Sequence, residues 1–149
     1  MSRIIILDSG PVGLLAQRKT ILQAERCRAW FRKLTVRGER FILPDIVDYE
    51  VRRELLRLRK TAGLARLDAL SDRLDYLPIT TSALRRAAEL WAQARQQGQQ
   101  TAGDKNIDAD MILCAQVHLL NEPDAVIATT NTRHLTRFVN ASLWQDITV

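Results

Sequence analysis

Short apolar runs alternate along the chain with longer stretches in which apolar residues recur every three or four positions. A run without polar interruption, such as Ile4 to Leu7, is typical of a parallel strand that is covered on both faces. The runs that predict strands are residues 3–8, 40–44, 75–79 and 125–129. Residues 143–149 are a candidate for a fifth strand.

The longer stretches between these runs predict helices at residues 20–36, 45–60, 64–74, 82–97 and 108–120. Two of them begin beside a residue suited to capping, Asp45 in one case and Thr81 or Ser82 in the other. Strands that alternate with helices of this length indicate βαβ units. We therefore expect an α/β fold, a three-layer α/β/α sandwich around a central parallel sheet of four to five strands.

The chain is expected to form one domain over residues 1–149. Residues 93–106 are polar and contain glycine, which is typical of the end of a helix followed by a loop. They do not predict a linker between two domains, because the segment that follows them is too short to fold alone.

The charge bears on what the protein binds. The 149 residues include 22 Lys and Arg against 17 Asp and Glu, which gives a net charge of +5 and a pI near 9.8. Most of the basic residues are arginine, whose planar guanidinium binds phosphate through two parallel hydrogen bonds. A polyanionic partner is one interpretation. A well-solvated, arginine-rich surface is the other, and composition does not choose between them.

Several features of the sequence predict a soluble, cytoplasmic protein without membrane contact. No run approaches the roughly 18 apolar residues of a membrane span. The first apolar run ends at Asp8 and is too short for the core of a signal peptide. Cys27 and Cys114 lie far apart and lack the spacing of metal ligands, so we expect both to be reduced residues of the core.

Two carboxylates occupy positions at which a ligand site is expected. Asp8 ends the first predicted strand, and the carboxyl ends of parallel strands are where α/β proteins bind ligands. The alternative is that Asp8 caps a short helix starting near Pro11. Glu50 lies at the edge of the apolar arc of its helix, an arc formed by Ile46, Val47, Val51, Leu55 and Leu58. Glu54 lies inside the same arc and competes with it, and either glutamate could instead pair with Arg53 or Arg57.

A third acidic group, Asp104, Asp108 and Asp110, directly precedes or begins the apolar helix near the C-terminus. One acid there complements the helix dipole, but three within seven residues exceed what a helix start requires. The polar residues Thr129, Thr130 and Asn131 follow a strand that should end at the same rim as Asp8. Oxygen ligands gathered in this way suit Mg²⁺ or Mn²⁺, which would offset the repulsion between the carboxylates.

Four segments in series resemble the PIN domain, a nuclease fold that includes the VapC-like toxins of bacterial toxin–antitoxin pairs. "IILDSG" resembles the first acidic strand of that family, and "PDIVDYEVRREL" the segment that carries its glutamate. "DADMILCAQV" is similar to its D-x-x-I/L-x-A helix, and "IATTNTRHL" to its T-x-N-x-x-D/H-F element. Together the four segments span most of the chain in the order of the family.

The resemblance implies an Mg²⁺- or Mn²⁺-dependent endoribonuclease with strand order 3-2-1-4-5, commonly a homodimer, and an antitoxin as a possible partner. Water would attack phosphorus in line and leave 5′-phosphate and 3′-hydroxyl ends. By matching position, Asp8, Glu50 and Asp110 correspond to the metal ligands. Asp108 would be an auxiliary ligand, Ser9 and Asn131 supporting polar groups with Asn131 near the chemistry, and Thr129 the residue that orients the cluster.

The chain departs from the family in its last element. His134 stands where a fourth acid often lies, and Leu135 replaces the usual aromatic residue. This departure favours the alternative of a non-catalytic PIN-like module that binds RNA or protein, whereas the three remaining carboxylates favour the enzyme. A phosphoacceptor domain of the response-regulator type is disfavoured, since it would require a second acid beside Asp8 and a lysine after the last core strand. His118 is expected at the edge of the core.

The arginine-rich segment that starts at residue 51 has two interpretations. Its arginines either form a solvated helix face or contact a polyanion, which would be RNA phosphates or an acidic antitoxin tail. We predict RNA contacts for Arg52, Arg53, Arg57 and, from the last element, Arg133. Aromatic residues make up 5% of the chain, too few for base stacking to be the main mode of recognition.

Overall fold

Five short apolar segments form one parallel sheet in the computed structural model, which describes residues 3–18, 21–98 and 104–148, with the backbone alone for residues 104–107. In sheet order, and numbered along the chain, the strands are β3 (Asp75–Leu77), β2 (Arg40–Pro44), β1 (Ile4–Leu7), β4 (Val126–Thr129) and β5 (Ala141–Leu143). Every neighbouring pair is parallel. The predicted α/β fold and its strand order 3-2-1-4-5 are confirmed.

Within the described residues, six α-helices connect these strands and flank the sheet. They are α1 (Ser9–Leu15), α2 (Leu22–Val36), α3 (Asp45–Arg57), α4 (Thr61–Ser71), α5 (Thr81–Gln96) and α6 (Asp104–Leu120). The chain moves outward from β1 to β2 to β3 and then crosses back to β4. Right-handed crossovers therefore place α1 to α4 on one face and α5 and α6 on the other, which gives the three predicted layers.

The direction in which successive strands are added to the sheet reverses between β1 and its neighbour β4. From β1 the chain moves to one side of the sheet, and from β4 it moves to the other. A crevice opens at such a switch point, at the carboxyl ends of the strands. The backbone N–H of Asp8 still donates to the carbonyl of Ala128 over 3.0 Å, so Asp8 lies directly beside Thr129 at this crevice.

The central strands form the middle of the core. Ile5, Ile6 and Leu7 of β1 and Ile127 of β4 have no exposed surface, as expected of strands covered on both faces. Cys27 and Cys114 are buried free thiols, so their predicted place in the core is confirmed. None of the helices in the described ranges has the length and the apolar character needed to cross a membrane.

The prediction of a fifth strand at residues 143–149 is wrong in position. The strand is Ala141–Leu143, and Trp144–Asp146 form a 3₁₀ turn. Trp144 turns inward because it packs edge-on against Trp30, with the ring centroids 5.6 Å apart. The indole N–H of Trp30 also donates to the carbonyl of Ile147 over 2.9 Å, which anchors the C-terminal segment to α2 instead of the sheet.

Both predicted helix caps are wrong by one residue. At α3 the cap position is Pro44, and the Asp45 carboxylate instead accepts from the N–H of Ile79 over 3.3 Å. At α5 the cap is Thr80, whose hydroxyl accepts from the N–H of Ala83 over 3.0 Å. Neither Thr81 nor Ser82 takes that role, because Thr80 already has the extended conformation of a cap.

Other predicted bounds differ by a few residues. The structure describes α2 from Leu22, and Thr20, the predicted start, lies outside the described residues. The predicted loop between the last two helices falls mostly on residues 99–103, which also lie outside them. Leu58 was predicted to be buried but is 48% exposed, because α3 ends at Arg57 and the chain turns away.

Candidate functional site

Asp8 is fixed by two hydrogen bonds at the carboxyl end of β1. Its Oδ1 accepts from the backbone N–H of Ser9 over 2.8 Å, and its Oδ2 accepts from the hydroxyl of Thr129 over 2.7 Å. The first bond makes Asp8 the N-cap of α1, so the capping interpretation is confirmed, and a ligand site at Asp8 stays a prediction. Burial raises the pKa of Asp8, and the two hydrogen bonds oppose that shift.

Glu50 and Asp110 approach the same point from two helices. Burial, and after it the negative charges of Asp8 and Glu50, raise the pKa of Asp110 to about 7. The pKa of Glu50 is raised by burial and then by the charge of Asp8, while the guanidinium of Arg53 lowers it. Asp8, Glu50 and Asp110, here called the carboxylate cluster, are therefore close enough to repel one another.

Glu54, the competing glutamate, is exposed and pairs with Arg57. That ion pair lowers the pKa of Glu54 and is the ordinary surface interaction that the sequence left open for either glutamate. Glu50 is half-buried at the edge of the apolar face formed by Ile46, Val47 and Val51. Of the two glutamates, Glu50 alone faces the crevice with Asp8.

The donor set of the carboxylate cluster fits a hard divalent cation. It offers carboxylate oxygens without sulfur or imidazole, which suits Mg²⁺ or Mn²⁺. The carboxylates repel one another, and a bound cation would remove this repulsion. Within the described side chains, no group of three or more His, Cys, Asp or Glu residues already surrounds one point as metal ligands do. The fit of the carboxylate cluster to a cation therefore rests on its negative charges and its oxygen donors.

The two candidate aspartates of α6 differ in burial. Asp110 is half-buried, whereas Asp108 is exposed. Asp110 is the one whose pKa responds to Asp8 and Glu50, which favours it as the principal ligand. The side chain of Asp104, the third acid of this group, lies outside the described residues.

The loop after β4 holds its shape through Thr129. This residue is 1% exposed, and its Oγ1 accepts from the N–H of Asn131 over 3.1 Å while donating to Asp8. The Asn131 side chain is exposed, and its Oδ1 accepts from the backbone N–H of Arg133 over 3.1 Å. Its carboxamide thus closes a local turn, and a catalytic role for Asn131 stays a prediction.

Gly10 allows this loop to pack against the start of α1. A Cβ atom at Gly10 would lie 2.4 Å from Oγ1 and 2.6 Å from Cγ2 of Thr130, closer than atoms can approach. The absence of a side chain at Gly10 therefore permits the contact that seats the Thr129–Asn131 loop beside Asp8. Sequence reasoning missed Gly10, for which the neighbouring motif "DSG" was the available signal.

Neither His118 nor His134 belongs to the carboxylate cluster. His134 has a buried Nδ1 without a hydrogen-bond partner among the described residues, and burial together with Arg137 and Arg133 lowers its pKa. His118 links three elements, because its Nδ1 accepts from Arg86 over 3.1 Å and its Nε2 lies 2.7 Å from the carbonyl of Phe138. That arrangement matches the expected place of His118 at the edge of the core.

The predicted RNA-binding arginines have different surroundings. Arg52 forms ion pairs with Asp48 at 3.1 Å and with Asp68 at 2.8 Å, and Arg57 pairs with Glu54. Arg53 is exposed and stacks over the ring of Tyr49 at 5.1 Å, with its charge near Glu50. Arg133 is exposed in the loop after β4. Arg53 is therefore the one of the four that is shown beside the carboxylate cluster and forms no ion pair within 4.0 Å with a described carboxylate.

A groove of about 1000 Å³ runs beside the carboxylate cluster. Ser9 and Glu50 line it, and its remaining polar lining is mostly basic. The basic residues are Arg18, Arg53, Arg59, Lys60 and Arg66. Arg18, which is followed by Lys19 in the sequence, was not among the arginines predicted to bind RNA. The site is thus an acidic crevice that opens into a basic groove.

Comparison with known proteins gives a family match and several similar folds. A sequence model of the PIN domain matches residues 19–139. No curated protein sequence matches the chain. The solved VapBC-1 of nontypeable Haemophilus influenzae has a TM-score of 0.69 at 15% identity, covering 96% of this chain and 99% of that chain.

Two further solved structures give the same result. VapBC from Salmonella typhimurium, bound to DNA, has a TM-score of 0.67 at 20% identity and covers 97% of this chain and 99% of that one. VapBC2 from Rickettsia felis, bound to a DNA fragment from its promoter, has a TM-score of 0.67 at 17% identity, with coverage of 95% and 98%. At these identities the likeness establishes the fold.

Proposed function

Because the chain belongs to the PIN domain family, we propose that it is a metal-dependent endoribonuclease that hydrolyses phosphodiester bonds of RNA. The observation that carries the proposal is the carboxylate cluster, in which Asp8, Glu50 and Asp110 come from three elements. The charge of Asp8 raises the pKa values of Glu50 and Asp110, and the charge of Glu50 also raises that of Asp110. A structural ion pair would bring opposite charges together. Like charges gathered at a switch-point crevice are instead typical of a cation site.

The carboxylate cluster would hold Mg²⁺ or Mn²⁺, with Asp108 as an auxiliary ligand. When bound, the cation supplies a Lewis acid that stabilises negative charge building on the scissile phosphate. Thr129 and the Ser9 N–H keep the Asp8 carboxylate in one orientation. Arg53 lies where it can contact a phosphate beside Glu50.

The reaction is a hydrolysis without a covalent enzyme intermediate. A water oxygen bonds to phosphorus while the bond from phosphorus to the 3′ oxygen breaks. The water loses a proton and the 3′ oxygen gains one, which leaves 5′-phosphate and 3′-hydroxyl ends. The carboxylates of this chain would hold the cation at the crevice, beside the phosphate on which negative charge builds.

The test is cleavage of a mixed total-RNA pool with Mn²⁺ or Mg²⁺. Discrete cuts should appear with the native chain and should be lost with Asp8→Asn, with Asp110→Asn and with chelator. Asp124→Asn, which neutralises an exposed aspartate in the turn before β4, is the control and should cut normally. Cutting that survives Asp110→Asn but not Asp108→Asn would move the principal ligand to Asp108.

A second candidate is a non-catalytic module that binds RNA or protein. The observation that favours it is His134, a residue with a lowered pKa where the family often has a fourth acid. Pure, folded native protein that binds RNA but cuts none of a broad pool in Mn²⁺ would support this candidate against the nuclease.

We further propose that the protein is the toxin of a type II toxin–antitoxin pair and forms a homodimer. Support comes from the VapBC complexes whose toxin fold it resembles over nearly its full length. Expression should arrest bacterial growth, and co-expression of a small open reading frame adjoining its gene should relieve the arrest. Light scattering should give about twice the chain mass of 17.0 kDa. Growth that continues normally, or a monomer mass, would contradict the respective proposal.

A further inference from the structure

A second, smaller cavity lies between α2 and α4, beside the end of α1. It has a volume of about 270 Å³, and four arginines line it together with apolar side chains. The arginines are Arg28 and Arg32 from α2 and Arg66 and Arg73 from α4 and the residues after it. We call this cavity the arginine pocket. It is smaller than the ~300–1,000 Å³ of sites for whole small molecules, so it suits a single charged group.

None of the described residues that line the arginine pocket is acidic. Three of its four arginines contact neutral groups instead. Arg66 Nε donates to the carbonyl of Ala16 over 2.7 Å, Arg28 donates to the carbonyl of Gln17, and Arg73 stacks over the ring of Phe31 at 5.6 Å. The positive charges around the cavity are therefore positioned but not neutralised.

One donor in the arginine pocket lacks an acceptor. The Nη1 atom of Arg28 is buried and has no hydrogen-bond partner among the described residues. A buried donor at a charged group is costly to leave unpaired, and a cluster of like charges adds repulsion. An oxyanion in the pocket would remove both costs, because guanidinium groups bind phosphate oxygens through paired hydrogen bonds.

The arginine pocket adjoins the groove of the carboxylate cluster. Arg66 lines both cavities. Helix α1 also connects them, since Ser9 at its start lines the groove and Leu15 at its end lines the pocket. Six residues of helix rise span about 9 Å. A strand that lies in the groove with one phosphate at the carboxylate cluster can therefore reach the pocket within a few nucleotides.

We propose that the arginine pocket binds one phosphate of the RNA strand, a few nucleotides from the phosphate at the carboxylate cluster. The proposal rests on the proposed function in taking RNA as the ligand. It adds a second anchoring point that fixes which phosphodiester bond lies in the crevice. The residues that carry it, Arg28, Arg32 and Arg73, are separate from the four arginines predicted from the sequence.

The test measures RNA binding without cleavage. A short fluorescent single-stranded oligoribonucleotide is titrated by anisotropy over a series of salt concentrations, in chelator. The chains compared are Arg32→Gln/Arg73→Gln and a matched control, Arg26→Gln/Arg37→Gln. Arg26 and Arg37 are exposed arginines on or at the end of α2 that do not line the pocket. Both double variants lower the net charge equally, and thermal unfolding checks that each is folded.

The pocket variant should bind RNA about tenfold more weakly than the control, since hydrogen bonds to charged groups contribute at this level. Its plot of log affinity against log salt should also become shallower by about 0.7, the value for one lost phosphate contact on a single strand. Equal affinity and equal salt slopes for the two variants would overturn the proposal, as would the absence of RNA binding by the native chain.

A second measurement uses inorganic phosphate alone. Phosphate should shift the Nε–H NMR signals of Arg28, Arg32 and Arg73 saturably, and uniform weak shifts of all arginines would contradict the site. Polyglutamate is tested in the same way. If polyglutamate binds through Arg32 and Arg73 and RNA binds independently of them, the pocket is a site for an acidic protein partner, and the proposal is overturned. RNA binding that depends on the pocket in a chain that cuts nothing would uphold the inference while the proposed nuclease failed.

Discussion

At the scale of single residues, the site is defined by how each carboxylate is held. Asp8 has two hydrogen-bond donors, whereas Asp110 has a pKa near 7 because it is buried among negative charges. The sequence singled out the three acids because their order along the chain matches that of the PIN family, and their role as metal ligands stays a prediction. It could not predict Thr129 Oγ1 as the donor to Asp8, because that bond joins residues 121 positions apart.

The pKa of Asp110 predicts a pH dependence of stability in metal-free protein. An unfolded aspartate titrates near 3.9 and folded Asp110 near 7, so between those values the native state binds more protons. The free energy of unfolding should therefore fall as the pH rises from about 4 to 7. Asp110→Asn removes this effect and should be more stable than the native chain at pH 8 by on the order of 1–2 kcal/mol, after allowance for partial exposure.

Thermal unfolding in chelator at pH 4 and pH 8 checks this prediction. The two chains should differ little at pH 4 and clearly at pH 8. Asp108→Asn is the matched control, because Asp108 is an exposed aspartate on the same helix, and it should follow the native curve. An Asp110→Asn chain that is less stable than the native chain at pH 8 would contradict the assigned burial and repulsion.

Thr129→Val keeps the shape of the side chain and removes the hydroxyl that donates to Asp8. Groups that orient a metal ligand contribute about 10- to 100-fold in affinity. We expect the affinity of Thr129→Val for Mn²⁺, measured by calorimetry, to be lower than that of the native chain by about this factor. Thr136→Val, which removes an exposed hydroxyl that bonds to the carbonyl of Thr132, should bind Mn²⁺ like the native chain. Unchanged affinity in Thr129→Val would exclude an orienting role.

At the scale of elements, long apolar runs predicted the structure better than ends and short segments did. The four main strands and the five longer helices lie where the periodicity placed them, within a few residues. Helix α1 was foreseen only as a short helix that Asp8 could cap, and the fifth strand was placed at residues 143–149 instead of Ala141–Leu143, because each element is short and depends on distant contacts. The packing of Trp144 on Trp30 decides that Trp144–Asp146 leave the sheet, and such a contact cannot be read from local sequence.

Two glycines of α1 provide a matched test of how this helix supports the site. Gly10→Ala would bring a Cβ against Thr130, so we expect a loss of about 1–3 kcal/mol in stability and a displaced Thr129–Asn131 loop. Gly13→Ala adds a Cβ that meets nothing within 4 Å in the same helix. It should stabilise the protein by about 0.4–1 kcal/mol through the lower entropy of the unfolded chain. Urea unfolding of both variants measures the difference in their free energies of unfolding. Equal changes in the two variants would contradict the close approach of Gly10 to Thr130.

At the scale of the whole molecule, the proposed cation binding would be linked to folding, because the three carboxylates come near one another only when their elements are assembled. Mn²⁺ at about a hundred times its Kd should stabilise the native chain by about 2.7 kcal/mol. The melting temperature should rise with Mn²⁺ concentration, and Glu50→Gln should largely abolish the rise. Glu54→Gln, one turn further along α3, should leave the rise intact. A rise that is equal in both variants would place the cation elsewhere.

The order of the strands also has a consequence for how the protein is made. Asp8 leaves the ribosome 121 residues before its partner Thr129 on β4. Chains emerge at roughly 5–20 residues per second, and β1 has no β4 beside it until the residues between them have been synthesised. A nascent chain that ends before β4 therefore holds an unfinished crevice, and the proposed nuclease would become competent only after Thr129 has been added and has emerged.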